Sequence, residues 1–233
     1  MSKAELKNNA ENDPDILQFS RNSVEVNVCD PEATDISFVD LPGLVQNVDE
    51  ELIDLVRSLV QSHIYGTNTI IVVAIPMTDD MEMIQGVSLA KAANPKRERT
   101  IGVMTKPDAI TKGARGGREK WKAVLEGREH KTTHGYFCVR LPDEDERARH
   151  ITTHEAQRLA SAFFSSTEPW SLMKDRSRFG VPNFVAAISE LLITLIEQNL
   201  RGLNKAVTSE LEKCLGLIGA LPPQGATAGR FRE

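Results

Sequence analysis

Two apolar runs, TIIVVAIP at 69–76 and TIGVMT at 100–105, lack the alternation of a half-buried strand. A strand apolar at every position belongs in a sheet covered on both faces, which calls for a mostly parallel sheet between helix layers. The sequence around them agrees. Leu52, Leu55, Val56, Leu59, Val60 and Ile64 recur at helical spacing before the first run. A second helical stretch opens at TDDMEM, where Asp79 is placed to cap it, and ends near Asn94-Pro95. A third helix is expected at 117–126 and a strand at GYFCVRL, 135–141. Upstream, VEVNVC (24–29) and ISFVDL (36–41), separated by the turn-like DPEATD, read as a hairpin. The expected fold class is α/β, with five strands and helices on both faces.

Beyond Pro142 the charged DEDERARH ends the strand pattern, and the sequence is helical from there on. Pro182 suits a first helical turn, and Phe184, Ile188, Leu191, Leu195, Leu203, Val207 and Leu211 mark one long apolar stripe, expected to reach past the compact domain. The expected organisation is a loose segment at 1–20, an α/β domain at 21–150, helices at 151–220 and a flexible tail at 221–233. With 28 basic against 33 acidic residues spread along the chain, no basic stripe offers a nucleic-acid groove, and no nucleic-acid partner is expected. Cys29, Cys138 and Cys214 form no C-x-x-C, so neither a zinc site nor a disulfide framework is expected, and a reducing cytosol suits the chain. The polar start MSKAELKNNAENDPD is unlike a signal peptide, and no stretch holds eighteen consecutive apolar residues, so no secretion or bilayer span is expected.

In open α/β sheets ligands sit at the carboxyl ends of the strands, and two such ends carry chemistry. Asp40-Leu41-Pro42-Gly43 closes one strand. A carboxylate there can hold magnesium, and the Gly43 amide can face a terminal phosphate. Thr105-Lys106-Pro107-Asp108 closes another. One carboxylate offers two acceptor oxygens, which match the adjacent N1 and N2 donors of guanine, and adenine has no such pair. The lysine stem can lie along the base. Each four-residue motif also has a bland reading: Asp40 as a turn residue, Lys106 with Asp108 as a solvated loop or surface ion pair. Their order, each after an expected strand, favours the functional reading.

Other residues carry less. His130 with His134, and His150 with His154, are i, i+4 pairs that would share a helix face, but both segments are charged and no cysteine completes a metal set. His63 suits a helix C-terminus. Trp121 and Trp170 read as packing anchors, and KGARGGREK at 112–120 as a flexible surface loop.

With DLPG at 40–43, RTIGVMTKPD at 99–108, HGYFCVRLP at 134–142, Phe163-Phe164, and Phe179-Gly180-Val181-Pro182 before a long helix, the sequence resembles the dynamin superfamily of large GTPases, more closely its fungal members. The resemblance covers roughly residues 24 to 216. It implies a P-loop GTPase-like sheet followed by helices leading to a stalk, with GTP or GDP and Mg2+ as ligands. Asp40, Leu41, Pro42 and Gly43 would serve the magnesium and phosphate side, with Asp40 as metal ligand; Thr105, Lys106 and Asp108 would serve the base. Arg140 falls in the third base-contacting motif, where the family usually has asparagine before arginine and this chain has Val139. Asp80 matches a position that contacts the partner G domain, or else caps the next helix. The resemblance also implies assembly with dynamin-like proteins through G-domain or stalk contacts, a membrane reached only through that assembly, and a cytoplasmic place at organelle membranes. Membrane fission, vesicle trafficking, mitochondrial fission and microtubule association are the family's roles.

No G-x-x-x-x-G-K-[ST], and no Gly-Lys pair at all, occurs in the 233 residues. In the family the strand into that phosphate loop lies between those at 36–41 and 69–76, so the chain reads as truncated on its N-terminal side. Leu44 follows Gly43 where Ras-like enzymes carry a water-orienting glutamine, and no catalytic residue is assigned. The expectations are therefore a GTP-binding domain of doubtful turnover, or an inactive module that associates with full-length relatives.

Overall fold

The computed structural model describes residues 22–29, 36–44 and 49–221. In chain order they form α1 (Glu50–Ile64), β1 (Ile71–Pro76), a 3-10 turn (Met81–Met83), α2 (Gln85–Ala93) and β2 (Thr100–Thr105). There follow α3 (Arg115–Leu125), β3 (Tyr136–Cys138), α4 (Glu144–Ala148), α5 (Thr153–Ser166), a second 3-10 turn (Trp170–Leu172) and α6 (Val181–Gly219). The strands make one parallel sheet in the order β1-β2-β3, with Ile71 opposite Thr100, Pro76 opposite Thr105 and Val103 opposite Phe137. The α/β class with a helix-flanked parallel sheet and trailing helices is thus as expected.

β2 is central, and its first five residues are all buried. Residues paired across parallel strands share a face, so the sheet has two distinct sides. On one, Ile71, Val73, Ile75, Met104, Tyr136 and Cys138 join Val60 and Ile64 of α1, Trp121 and Val124 of α3 and Phe164 of α5 in the main core. On the other, Ile101 and Phe137 meet Phe184, Ile188 and Leu191 of α6. That cover does not extend to β1, where Val72 remains 46% exposed.

Three expectations change. Residues 24–29 and 36–41 form no strand; Val24, Val26, Val28 and Phe38 are exposed, and the turn between them lies outside the described residues. Apolar alternation supplies a face but not a ladder partner, and neither segment pairs with the outer edge of β1, so their backbone is left to solvent. The five expected strands are three among the described residues. KGARGGREK is not a loop throughout but enters α3 at Arg115. Gly116 and Gly117 each cost a helix about 1 kcal/mol, yet Arg118, Trp121, Val124 and Leu125 bury one face. Asp79 caps no helix: α2 begins at Gln85 with no side-chain cap, and Asp79 instead accepts from the Thr78 hydroxyl.

The outer edge of β3 is bonded at Cys138 to the entry of α6: Cys138 N donates to Arg178 O, and Gly180 N donates to Cys138 O, a parallel bridge opposite Phe179. Gly180, at φ 88°, turns the chain into α6, with Pro182 in the first turn as expected. From Ile196 on, every residue of α6 is exposed. By length and composition α6 is also apolar enough to cross a membrane, at mean hydropathy 1.3. This modifies the expectation drawn from uninterrupted apolar runs, since Glu190 and Glu197 break the run without making the helix polar.

At Gly102 the sheet admits no side chain, because a Cβ there would lie 2.3 Å from Tyr136 Cδ1. The ring is also tethered, its hydroxyl donating to His130 O at 2.8 Å. Gly102→Ala is expected to cost about 1–3 kcal/mol through overpacking, read as a lower urea midpoint, with much of the loss recovered when Tyr136 is also changed to Leu.

Candidate functional site

β2 delivers its last residue, Thr105, to the carboxyl edge of the sheet, where Thr105 O accepts from Met77 N at 2.9 Å. The chain then reverses at Lys106, in the left-handed region at φ 58°. A lysine bears that conformation at a cost of about 1–2 kcal/mol, so the surrounding structure must hold it there. Pro107 supplies the hold, for its side chain is among the fully buried ones. Lys106 and Asp108 flank this anchor and face outward, both exposed. An apolar strand ends on a lysine and a carboxylate because the residue between them is the plug.

The far end of the loop is fixed by Arg118. This buried guanidinium donates from Nη2 to Ile110 O at 2.6 Å and from Nη1 to Glu168 O at 2.9 Å. Nothing in the glycine-rich sequence around Arg118 signals this role.

Arg140, two residues past β3, lies behind Asp108. Its Nε is 3.5 Å from Asp108 Oδ2, and its Nη2 is 2.8 Å from Glu146 Oε1 and 3.7 Å from Asp143 Oδ2. Its side chain is only 11% exposed. Asp143 and Glu146 form the capping box of α4, each side chain accepting from the other's backbone amide. The D-x-x-E spacing was a readable signal for that box. The hydrogen bond from Arg140 holds the Glu146 carboxyl below the usual carboxylate range, and Glu146 in turn raises the guanidinium pKa. Three carboxylates around one guanidinium leave this cluster with a net negative charge. Beneath it, burial first and then Asp108 push the Cys138 thiol up, keeping it neutral. Arg140 is thus placed to orient Asp108.

Asp40-Leu41-Pro42-Gly43 has no regular structure. Leu41 and Leu44 pack against the main core, and Leu41 and Pro42 line a cavity of about 520 Å³ along the outer edge of β1, together with Pro76 and Asp79. Asp40 and Gly43 are exposed. Since Pro76 is in register with Thr105, both motifs sit toward the carboxyl ends of the strands. Among the described residues, however, no hydrogen bond or ion pair joins them. A single exposed carboxylate fits the way magnesium is bound, through one or two carboxylates with substrate phosphates. The exposed Lys106 and Asp108 fit a base that offers paired donors.

Asp80 makes no side-chain cap on the turn that follows it; it is 74% exposed and 3.6 Å from Lys120 Nζ. His130 and His134 lie in the loop between α3 and β3, not on a helix face, bonded to Glu82 Oε1 and Glu98 O respectively. His150 likewise precedes α5. Among the described residues no three His, Cys, Asp or Glu side chains converge as a metal set.

Residues 2–107 match the model of the Dynamin family. The interferon-induced GTP-binding protein Mx2 of Bos taurus is 25% identical over 208 residues, covering 84% of this chain and 29% of that protein. The interferon-induced GTP-binding protein Mx of Epinephelus coioides is 26% identical over 223 residues, 91% of this chain and 35% of that protein. MxA of Danio rerio is 26% identical over 217 residues, 90% and 33%. The chain spans about a third or less of the length of these relatives.

Glu146→Gln keeps the shape of the capping box and removes its charge. It is expected to lower stability by about 1–3 kcal/mol at pH 7, measured by urea unfolding. Because the folded-state pKa of Glu146 lies below its ordinary 4.5, the contribution is present above that value and lost as pH falls through the depressed one. The gap between wild type and variant should therefore close in acid.

Proposed function

We propose that the chain is a dynamin-type GTP-binding domain whose 105–108 loop binds the guanine base of GTP and GDP, a reading supported by the match of residues 2–107 to the Dynamin family and by the similarity to the Mx proteins. The observation that carries this reading is the placement of Lys106 and Asp108 on either side of the buried Pro107, with Arg140 behind the carboxylate. Both Asp108 oxygens would accept from guanine N1 and N2, Lys106 would lay its stem along the ring, and Thr105 would close the strand end beneath. Arg140 would act as a positioning residue. Asp40 would hold magnesium, and Gly43 would turn its amide to the terminal phosphate. Magnesium, when bound, neutralises charge on the phosphates.

Without a Gly-Lys phosphate loop in these 233 residues, affinity rests on the base side. No residue here is assigned to hydrolysis; GTP turnover is proposed only for the family's complete arrangement. The role in membrane remodelling, whether fission or trafficking, at the cytoplasmic side of organelle membranes follows the same family reading. A second reading, an interaction module that binds dynamin-like relatives, is favoured by the exposed Asp80 and by the uncovered second half of α6.

Titration of the chain with fluorescent GTP and magnesium tests the first reading. Displacement by GDP but not ATP is expected, and Asp108→Ala should weaken binding at least tenfold, in line with the loss of charged hydrogen bonds. Equal displacement by ATP, or no binding by the folded chain, would overturn it.

A further inference from the structure

A cavity of about 600 Å³ lies between α5 and the entry of α6, within the size range of clefts that hold small molecules. Thr105, Lys106 and Asp108 do not line it, so it is separate from the base loop. Its shape follows from α5. Residues three and four apart share a helix face, and here that face carries two columns. Ala156, Ala160 and Phe164 form the inner one, with Ala160 and Phe164 buried; Gln157, Ser161 and Ser165 form the outer one, all exposed. The two alanines leave the space that larger side chains would fill. Phe179 closes the floor, its ring centroid 4.6 Å from that of Phe164, and Pro142, Ile151 and Val181 supply apolar walls.

The charge of the lining is one-sided. It includes two arginines and no carboxylate, in a chain with 33 acidic residues against 28 basic. Arg140 is already matched by Asp108, Asp143 and Glu146. Arg176 is not. Among the described residues it has no carboxylate partner, because the adjacent Asp175 pairs with Arg178 at 3.5 Å and accepts from the Ser177 hydroxyl. The guanidinium is nevertheless held in place: it lies over the Phe179 ring, 5.0 Å from the centroid, and its Nη1 donates to Trp170 O at 2.8 Å. Its Nε and Nη2 donors remain for a ligand.

Trp170 follows the last turn of α5, which sets Arg176 at the Ser165 end of the face. The hydroxyls of Ser161 and Ser165 are also uncommitted among the described residues, whereas that of Ser166 is donated back to Ala162 O. One end of an apolar trough therefore offers a positioned, unneutralised cation with two hydroxyls beside it. From Ala156 to Ser165 the helix rises about 13 Å, the span of a medium-length acyl chain. A phosphate dianion or a nucleotide calls for several free cations, and the lining supplies one.

We propose that this cavity binds a small amphipathic monoanion, a carboxylate with a medium-length apolar chain. The head sits on Arg176 and Ser165, and the chain runs along Phe164 and Ala160 toward Ile151.

Isothermal titration of the full chain with sodium decanoate, kept below its micelle concentration, tests this. Saturation at one ligand per chain is expected, with decylamine and decanol each weaker by about tenfold or more, as loss of a charged hydrogen bond requires. Arg176→Gln should weaken decanoate by about tenfold and leave decanol unchanged, a split that a merely structural loss would not give. Ser161→Phe, at an exposed position on the cavity wall, should fill the space and abolish binding of both ligands, while circular dichroism and the urea midpoint stay at wild-type values. Four outcomes would each overturn the proposal: no saturable binding by the folded chain, equal affinity for decylamine, decanoate affinity untouched by Arg176→Gln, or binding that survives Ser161→Phe.

Discussion

The ladder around β2 is the constraint on which the rest of the structure depends. A strand buried on both faces can satisfy its amides and carbonyls only by pairing on both edges, and β1 and β3 provide this. Its ends must then be handed to the surface without orphaned carbonyls. Two arginines manage the handover. At the amino end Arg99 donates to Ile64 O, Thr69 O and Ala93 O, gathering the ends of α1 and α2 with the entry to β1. At the carboxyl end Arg118 does the same for Ile110 and Glu168. Burial lowers the pKa of Arg99 from the guanidinium's usual range, which lies far above neutrality. In both places a planar fork of donors meets carbonyls from separate segments, a task a lysine could not take over.

The candidate site inherits its rigidity from this frame. Asp108 does not stand on a free loop: Pro107 plugs it, Arg118 fixes its far end, and Arg140 braces the carboxylate from behind. Arg140 is itself fixed by Glu146, whose backbone and side chain are locked in the α4 capping box. Preorganisation of this kind lets a carboxylate present its oxygens without reordering on binding. The cost is visible in Lys106, held at positive φ, and in the buried Arg140 Nη1 and Arg118 Nε, which have no hydrogen-bond partner among the described residues.

What could be read from the sequence was what depends on burial pattern. The run at 100–105 is β2 to the residue, and 69–76 contains β1, because full burial forces continuous apolar sequence. Lys106 and Asp108 were legible because they interrupt such a run. Features set by partners rather than by pattern were not. VEVNVC and ISFVDL have strand composition, but a strand exists only with a neighbour to bond to. Arg118 was hidden because its neighbours Gly116 and Gly117 suggest a loop, and only the burial of Trp121 and Val124 turns that segment into a helix. The spacing of His130 and His134 was equally uninformative, since an i, i+4 pair shares a face only on a helix, and these two lie in the loop between α3 and β3.

β3 joins the two ends of this account. On one edge Val139 N donates to Met104 O, carrying the ladder toward Arg140 and so to Asp108; on the other, Cys138 is bonded through Arg178 and Gly180 to the start of α6. Between them Phe137 is packed against Phe184 on one face while Cys138 lies fully buried on the opposite one. A three-residue strand has little stability of its own. Its position is therefore set jointly by the ladder to β2 and by the seating of α6. The brace behind Asp108 and the base of the exposed helix share this one short element, bonded on one edge to β2 and on the other to the entry of α6.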